Sequence, residues 1–222
     1  MKLKSGWGMT ETCSPGTAHP LNGPDKPGSI GLMLPGIEMD VVSLEDSKKV
    51  LPPGEVGEIR IQGPNVTKGY WNRPKETAEA FVGDRFLTGD IGYMDSDGYF
   101  YLVDRKKDMI ISGGFNVFPS EVEQVLWSHP AVQDCAVIGV PDEKWGEAVT
   151  AVVVLRSGAA RDDAAIDAMT AEIQAAVKDR KGSVQSPKRV VVVDALPLTG
   201  LGKPDKKAVR AQFWAGAGRA VG

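Results

Sequence analysis

Asp104-Arg105-Lys106-Lys107-Asp108-Met109-Ile110-Ile111-Ser112-Gly113-Gly114-Phe115-Asn116 sets five charges ahead of a short apolar run and a double glycine, and it separates two regimes of composition. On the N-terminal side, from Ile30 to Tyr101, apolar residues come in short runs divided by turns. Glu58-Ile59-Arg60-Ile61-Gln62 alternates with period two, which predicts strands joined as a small antiparallel barrel or sheet. One short helix is expected across Asn72–Phe81, where Pro74 comes early and good helix formers follow. Asp95-Ser96-Asp97-Gly98 predicts a turn into a strand over Tyr99–Val103. Residues 1 to about 28 are rich in Gly, Pro and Thr and predict loop with no obvious element to pack against.

On the C-terminal side the pattern becomes mixed helix and strand. Ser120 followed by Glu123 reads as a capping box behind Pro119, opening a helix through Trp127. Strands are expected at Cys135–Val140, Ala148–Leu155 and Val190–Val193, with an Ala-rich helix over Ala164–Lys178 and a short final helix over Lys206–Trp214. The fold class that follows is α+β: a small antiparallel β-barrel-like subdomain over 1–106, then an α/β C-terminal domain over 107–222 with a small sheet flanked by helices.

Composition removes several function classes. The chain has 222 residues, 42% hydrophobic and 25% charged, near the globular average. No apolar run reaches the roughly 18 residues that span a bilayer, so no integral membrane segment is expected. Met1–Gly6 lacks an apolar export core and only two cysteines are present, so the expected setting is reducing and cytoplasmic. Cys13, His19, His129 and Cys135 are spaced too widely for a zinc site. The net charge of −3 argues against a nucleic-acid surface, although from Lys178 onward ten basic residues face three acids, an end that suits a polyphosphate.

Four segments carry candidate chemistry. In Gly6-Trp7-Gly8-Met9-Thr10-Glu11 the glycines permit close backbone approach, the indole offers a stacking face, and Thr10 and Glu11 suit a phosphate and a Mg²⁺ ion. Asp90, just past Gly89 at the expected end of a strand, suits the paired hydroxyls of a ribose. Arg105, Lys107 and the Ser112-Gly113-Gly114 loop fit a ribose contact, a pivot and a narrow ligand passage, or equally a charged linker and a hairpin turn. Lys203, between Gly202 and Pro204, is a mobile ammonium suited to charge developing in acyl or phosphoryl transfer. It is not a Walker lysine, because Pro204 stands where Ser or Thr is needed.

Taken in order with Gly57–Gly63, Gly69-Tyr70-Trp71, Pro74 and Thr77, these blocks resemble the second half of the adenylate-forming superfamily, which contains acyl-CoA synthetases, luciferases and peptide-synthetase adenylation domains. The resemblance implies attack of a carboxylic acid on the α-phosphate of ATP, then displacement of AMP by the thiol of coenzyme A. It implies that Trp7 stacks on adenine, with Gly8 and Met9 beside it; that Thr10 contacts the AMP phosphate; and that Glu11 holds Mg²⁺. Asp90 and Arg105 would bind ribose, and Lys203 would reach the acyl carboxylate and α-phosphate. Lys107 matches a hinge about which the C-terminal domain rotates, and Ser112, Gly113 and Gly114 would then face the pantetheine arm. The family's upstream phosphate loop and acyl pocket are absent from the 222 residues, so the chain is expected to be a C-terminal portion, inactive alone and lacking the N-terminal part of its own chain. Met9–Ser14 and Gly113–Pro119 are most similar to acyl-CoA ligases, which favours a fatty or related organic acid. Two further readings are a non-catalytic nucleotide-binding or docking module of the same fold, and an adenylation domain that loads a carrier protein.

Overall fold

The computed structural model describes residues 4–24 and 26–214. Met1–Leu3 of the export-signal reading and Arg219 of the basic end lie outside them. The chain divides into two compact units, Met1–Lys106 and Lys107–Gly222.

The first unit is built on β1 (Gly6–Met9), β2 (Ser14–Ala18), β3 (Ser29–Met33), β4 (Glu38–Val42), β5 (Gly57–Gln62), β6 (Phe81–Val82), β7 (Arg85–Met94) and β8 (Phe100–Arg105), with helix α1 (Pro74–Ala80). Every pairing is antiparallel and the ladder runs β1-β2-β3-β8-β7-β5-β4, with β6 added to β7. Of the two forms the alternation allowed, this is the sheet: among the described residues β1 and β4, at the ends of the ladder, do not pair. Its core gathers Trp7, Met39, Val41, Ile59, Ile61, Phe86 and Phe100, the inward residues of strands with period-two patterning.

Residues 6–18 correct the expectation of loop: they form the β1–β2 hairpin, and β2 pairs with β3. Periodicity failed here because the strands approach through glycines. A Cβ on Gly6 would lie 2.7 Å from the Thr17 carbonyl oxygen, and one on Gly16 would lie 2.8 Å from the Trp7 ring. The short helix covers only Pro74–Ala80, with proline in its first turn, because Phe81 takes up extended backbone and begins β6. The Asp95 turn is as expected, Asp95 Oδ1 accepting the backbone N–H groups of Asp97 and Tyr99 at 2.9 Å each.

The second unit holds β9 (Ile110–Ser112), β10 (Phe115–Val117), β11 (Val132–Asp142), β12 (Gly146–Leu155) and β13 (Arg189–Val193), with α2 (Pro119–Trp127), α3 (Asp163–Lys181) and α4 (Lys206–Trp214). The sheet order is β10-β9-β12-β11, with β13 added parallel to β12. Alternate residues of the central strands feed two cores. Cys135, Val137, Val149, Ala151 and Val153 join Val122 and Leu126 of α2 and Met169, Ile173 and Val177 of α3. Ala136, Ile138, Val140, Val152 and Val154 join Val209 of α4 and Leu196. With both faces covered, the strands read as continuous apolar runs without alternation.

Two helix starts differ from the sequence reading. Phe118, not Ser120, occupies the N-cap of α2, without a side-chain cap, and Pro119 takes the first turn. Glu123 is drawn inward instead: it accepts the Val137 N–H at 2.8 Å and pairs with Lys206 at 2.9 Å. α3 begins at Asp163, capped by the Asp162 carboxylate accepting from Ala165 N–H at 3.0 Å, and extends to Lys181.

Candidate functional site

In the first unit Trp7, Asp90 and Arg105 meet. Asp90 and Arg105 face one another across the β7–β8 ladder. The Asp90 carboxylate accepts the Trp7 indole N–H at 2.8 Å on Oδ2 and pairs with Arg105 Nε at 2.7 Å on Oδ1. β7 does not end at Asp90 as expected; it runs on to Met94. What distinguishes the position is a bulge. Opposite Glu58–Arg60 of β5, β7 carries extra backbone at Thr88–Asp90, and Gly89 takes the left-handed φ of 69°. Thr88 donates its hydroxyl to the Ile59 carbonyl at 2.7 Å and accepts the Asp90 N–H at 3.1 Å, so the bulge is tied on both sides. A bulge of this kind re-aims the following side chain, which is how a carboxylate comes to sit in a sheet core.

Asp90 is 3% exposed. Burial raises its pKa above the ordinary carboxylate value; Arg105 and the Trp7 N–H oppose the rise, and Glu58 adds to it. Because the folded value is raised, the native state holds the proton to higher pH than the unfolded chain. That contribution to stability is present below 3.8 and is lost as pH rises through the folded value. In urea titrations, the stability of the wild type relative to Asp90→Asn is therefore expected to fall as pH rises from 3.8 toward neutrality. A rise over that window would mean that Arg105, with a side chain 53% exposed and screened by solvent, outweighs burial after all.

Trp7 itself is only 8% exposed. Its accessible part lines an open groove with Gly6, Gly8, Met9, Thr10 and Pro15. Glu11, half-buried, accepts the Tyr70 hydroxyl on Oε1 at 3.0 Å. Among the described residues no three His, Cys, Asp or Glu side chains gather for a metal. A lone carboxylate nevertheless fits Mg²⁺, which keeps most of its waters and takes one or two carboxylates together with substrate phosphates.

In the second unit, Ser112-Gly113-Gly114 forms the turn between β9 and β10, with Ser112 opposite Phe115. Gly113 and Gly114 have φ of 59° and 82°, as a type I′ hairpin turn requires. Gly113 donates its N–H to the Trp145 carbonyl at 2.8 Å, and a Cβ on Gly113 would meet the Trp145 ring at 3.1 Å, whereas one on Gly114 would meet nothing within 4 Å. Ser112 is fully buried and its hydroxyl has no hydrogen-bond partner among the described residues. Lys203 is exposed at the tip of a loop closed through Thr199, which donates its N–H to the Lys203 carbonyl at 2.7 Å. Lys107 is exposed and its carbonyl faces Arg210 Nη1 at 3.5 Å.

Three residues escaped the sequence reading. Glu58 is buried and bonded to Lys106 and to the bulge amide; Tyr70 holds Glu11; Trp145 packs on the glycine turn between the ammonium groups of Lys188 and Lys144, 4.9 and 5.1 Å from its ring. Glu58 and Tyr70 stood inside blocks already singled out, and nothing in the neighbourhood of Trp145 marked it.

The AMP-binding enzyme family model matches residues 1–71, and the AMP-binding enzyme C-terminal domain model matches 121–203. The chain belongs to this family of adenylate-forming enzymes. It is 68% identical over 182 residues to a medium/long-chain-fatty-acid–CoA ligase of Mycobacterium tuberculosis, covering 82% of this chain and 32% of the relative. It is 43% identical to a long-chain-fatty-acid–CoA ligase of Bacillus subtilis, covering 91% of this chain and 35% of the relative. ATP-bound MatB from Rhodopseudomonas palustris superposes with a TM-score of 0.84 at 40% identity, covering 95% of this chain and 40% of that one. The chain thus spans about a third of the length of the curated relatives it matches.

Proposed function

We propose that the chain serves an ATP-dependent acid–CoA ligase, supplying the ribose clamp, the catalytic lysine loop and the thioester-forming domain to a longer enzyme whose remaining part provides the phosphate loop and acyl pocket. The joining of Trp7, Asp90 and Arg105 beside the Gly6–Thr10 groove carries this reading. An ionised carboxylate has about four lone-pair sites, of which the two protein bonds use two, so Asp90 retains capacity for both ribose hydroxyls. Arg105 balances the charge of Asp90 and opposes the rise that burial imposes on its pKa. The exposed edge of Trp7 meets the adenine, and Thr10 meets the α-phosphate.

Bound Mg²⁺, held by Glu11, would neutralise phosphate charge. The carboxylate oxygen of the acid attacks the α-phosphorus, and the bond to pyrophosphate breaks while Lys203 balances the negative charge gathering between them. In the second half-reaction the coenzyme A sulfur attacks the acyl carbonyl and AMP departs, with the side-chain-free Gly113–Gly114 turn admitting the pantetheine arm. The 68% identity to a medium/long-chain-fatty-acid ligase supports a fatty acid as the substrate. Two free cysteines, one buried, support a reducing, cytoplasmic setting.

The test is a chimera in which this chain replaces the matching C-terminal portion of a fatty-acid–CoA ligase. Carboxylate-dependent ATP–pyrophosphate exchange and acyl-CoA formation are expected; neither would appear if the chain were only a docking module. Lys107→Pro in that chimera would restrict the pivot backbone, and the thioester step is expected to slow by about ten-fold or more while adenylation stays within a few-fold. An unchanged thioester rate would remove Lys107 from the hinge.

A further inference from the structure

The residue just before the proposed pivot is not free. Lys106 donates from Nζ to Glu58 Oε2 at 2.7 Å, and Glu58 is 2% exposed. The other carboxylate oxygen of Glu58 accepts the N–H of Gly89 at 3.1 Å, the glycine whose left-handed backbone makes the bulge before Asp90. Two buried carboxylates on neighbouring strands, Glu58 of β5 and Asp90 of β7, are thereby matched by two consecutive cations, Lys106 and Arg105, at the end of β8. Charge balances within the four, and each carboxylate bonds both a cation and an N–H group.

We propose that Glu58 is a positioning residue with two tasks: it holds the Gly89 bulge that aims Asp90, and it anchors Lys106 so that backbone freedom begins at Lys107. This rests on the reading of Lys107 as a hinge. A hinge is useful only if its ends are defined; a pivot that leaked into Arg105 would break the Asp90–Arg105 pair on every rotation. Glu58 prevents the leak by tying the strand end to a buried carboxylate that the ribose pair does not use. Neutralising Glu58 with an isosteric amide removes the charge partner of Lys106 and leaves the volume of the site unchanged.

Native-state trypsin digestion of the 222-residue chain, with the new ends identified by mass spectrometry, reads the anchor directly, because trypsin must draw the side chain of Arg105, Lys106 or Lys107 into its pocket. Wild type is expected to be cut after Lys107, with cuts after Arg105 and Lys106 at least ten-fold slower. Glu58→Gln is expected to raise the cuts after Arg105 and Lys106 ten-fold or more while the exposed sites at Lys49 and Lys75 keep their rates. A uniform rise at all sites would mean that Glu58 acts only through global stability, and an unchanged ratio would remove the anchor; either result overturns the proposal. Should Glu58→Gln not fold, Lys106→Gln keeps the Glu58–Gly89 bond and is expected to raise the cut after Arg105 alone. Glu38→Gln, which breaks the Arg85 pair at the far side of the sheet, is expected to leave the three junction cuts unchanged. A selective rise in Glu58→Gln together with a normal thioester step in the Lys107→Pro chimera would uphold the anchor and discard the hinge, so the two failures are distinguishable.

Discussion

Lys203→Ala in the chimeric ligase is expected to lower the adenylation rate by about 10² to 10³, the loss typical of removing one charge-stabilising group from a transition state. The same variant is expected to form thioester from a supplied acyl-adenylate within a few-fold of wild type. The physical ground is the loop. Its backbone is tied by three bonds through Thr199, while among the described residues no ion pair engages the Lys203 ammonium. Leu201 is 90% exposed beside it, so the segment is shaped by hydrogen bonds and not by burial. Truncating the side chain leaves that scaffold intact, and any lost rate belongs to the chemistry. ATP–pyrophosphate exchange reads the first step and a single-turnover assay with acyl-adenylate reads the second. Equal loss in both would refute a role confined to adenylation.

The largest expected loss of stability lies at a pair of glycines on the strands that carry the charged cluster. Gly57 of β5 and Gly92 of β7 are register partners. A Cβ on Gly92 would lie 2.2 Å from the Tyr101 carbonyl oxygen, and one on Gly57 would lie 2.1 Å from that of Val42. Both obstacles are backbone, so neither can rotate away. Gly92→Ala is expected to destabilise the first unit by about 3 kcal/mol or more, at the upper end of overpacking costs, because β7 must separate from β8. The same strands carry Asp90 and Arg105, so the proposed ribose clamp is expected to fall with the fold. Hydrogen exchange measured by mass spectrometry should show strands β5, β7 and β8 losing protection while the second unit keeps its own. Gly200→Ala, where a Cβ meets nothing within 4 Å, is the control and should be nearly neutral. Equal protection in wild type and Gly92→Ala would mean that the sheet relaxes cheaply around the new methyl.

Much of the molecule was legible before any coordinates. Alternation in Glu58–Gln62 announced strands, and so did the apolar runs at Cys135–Val140 and Ala148–Leu155; that the latter are covered on both faces came from the structure, where their alternate residues enter two separate cores. The misreadings have specific causes. Gly6–Ala18 looked like loop because its strands pack through glycine, which erases the hydrophobic period. Ser120 looked like a cap because its spacing to Glu123 is right, but Glu123 reaches a backbone amide on β11 and Lys206 on α4, partners far away in sequence. Asp90 looked like the end of a strand because Gly89 precedes it, whereas the glycine makes a bulge within one.

The family and the order of its motifs are properties of short segments, since each depends on side chains and their immediate neighbours, and the sequence by itself determined them. Which charges pair is a property of strand register. Arg105 lies fifteen positions after Asp90, and Lys106 forty-eight after Glu58, yet both pairs close within 2.7 Å because β8 returns beside β7 and β7 lies beside β5. Only the tertiary structure decided that, because sheet pairing joins residues by distance in space and leaves no local periodicity to read.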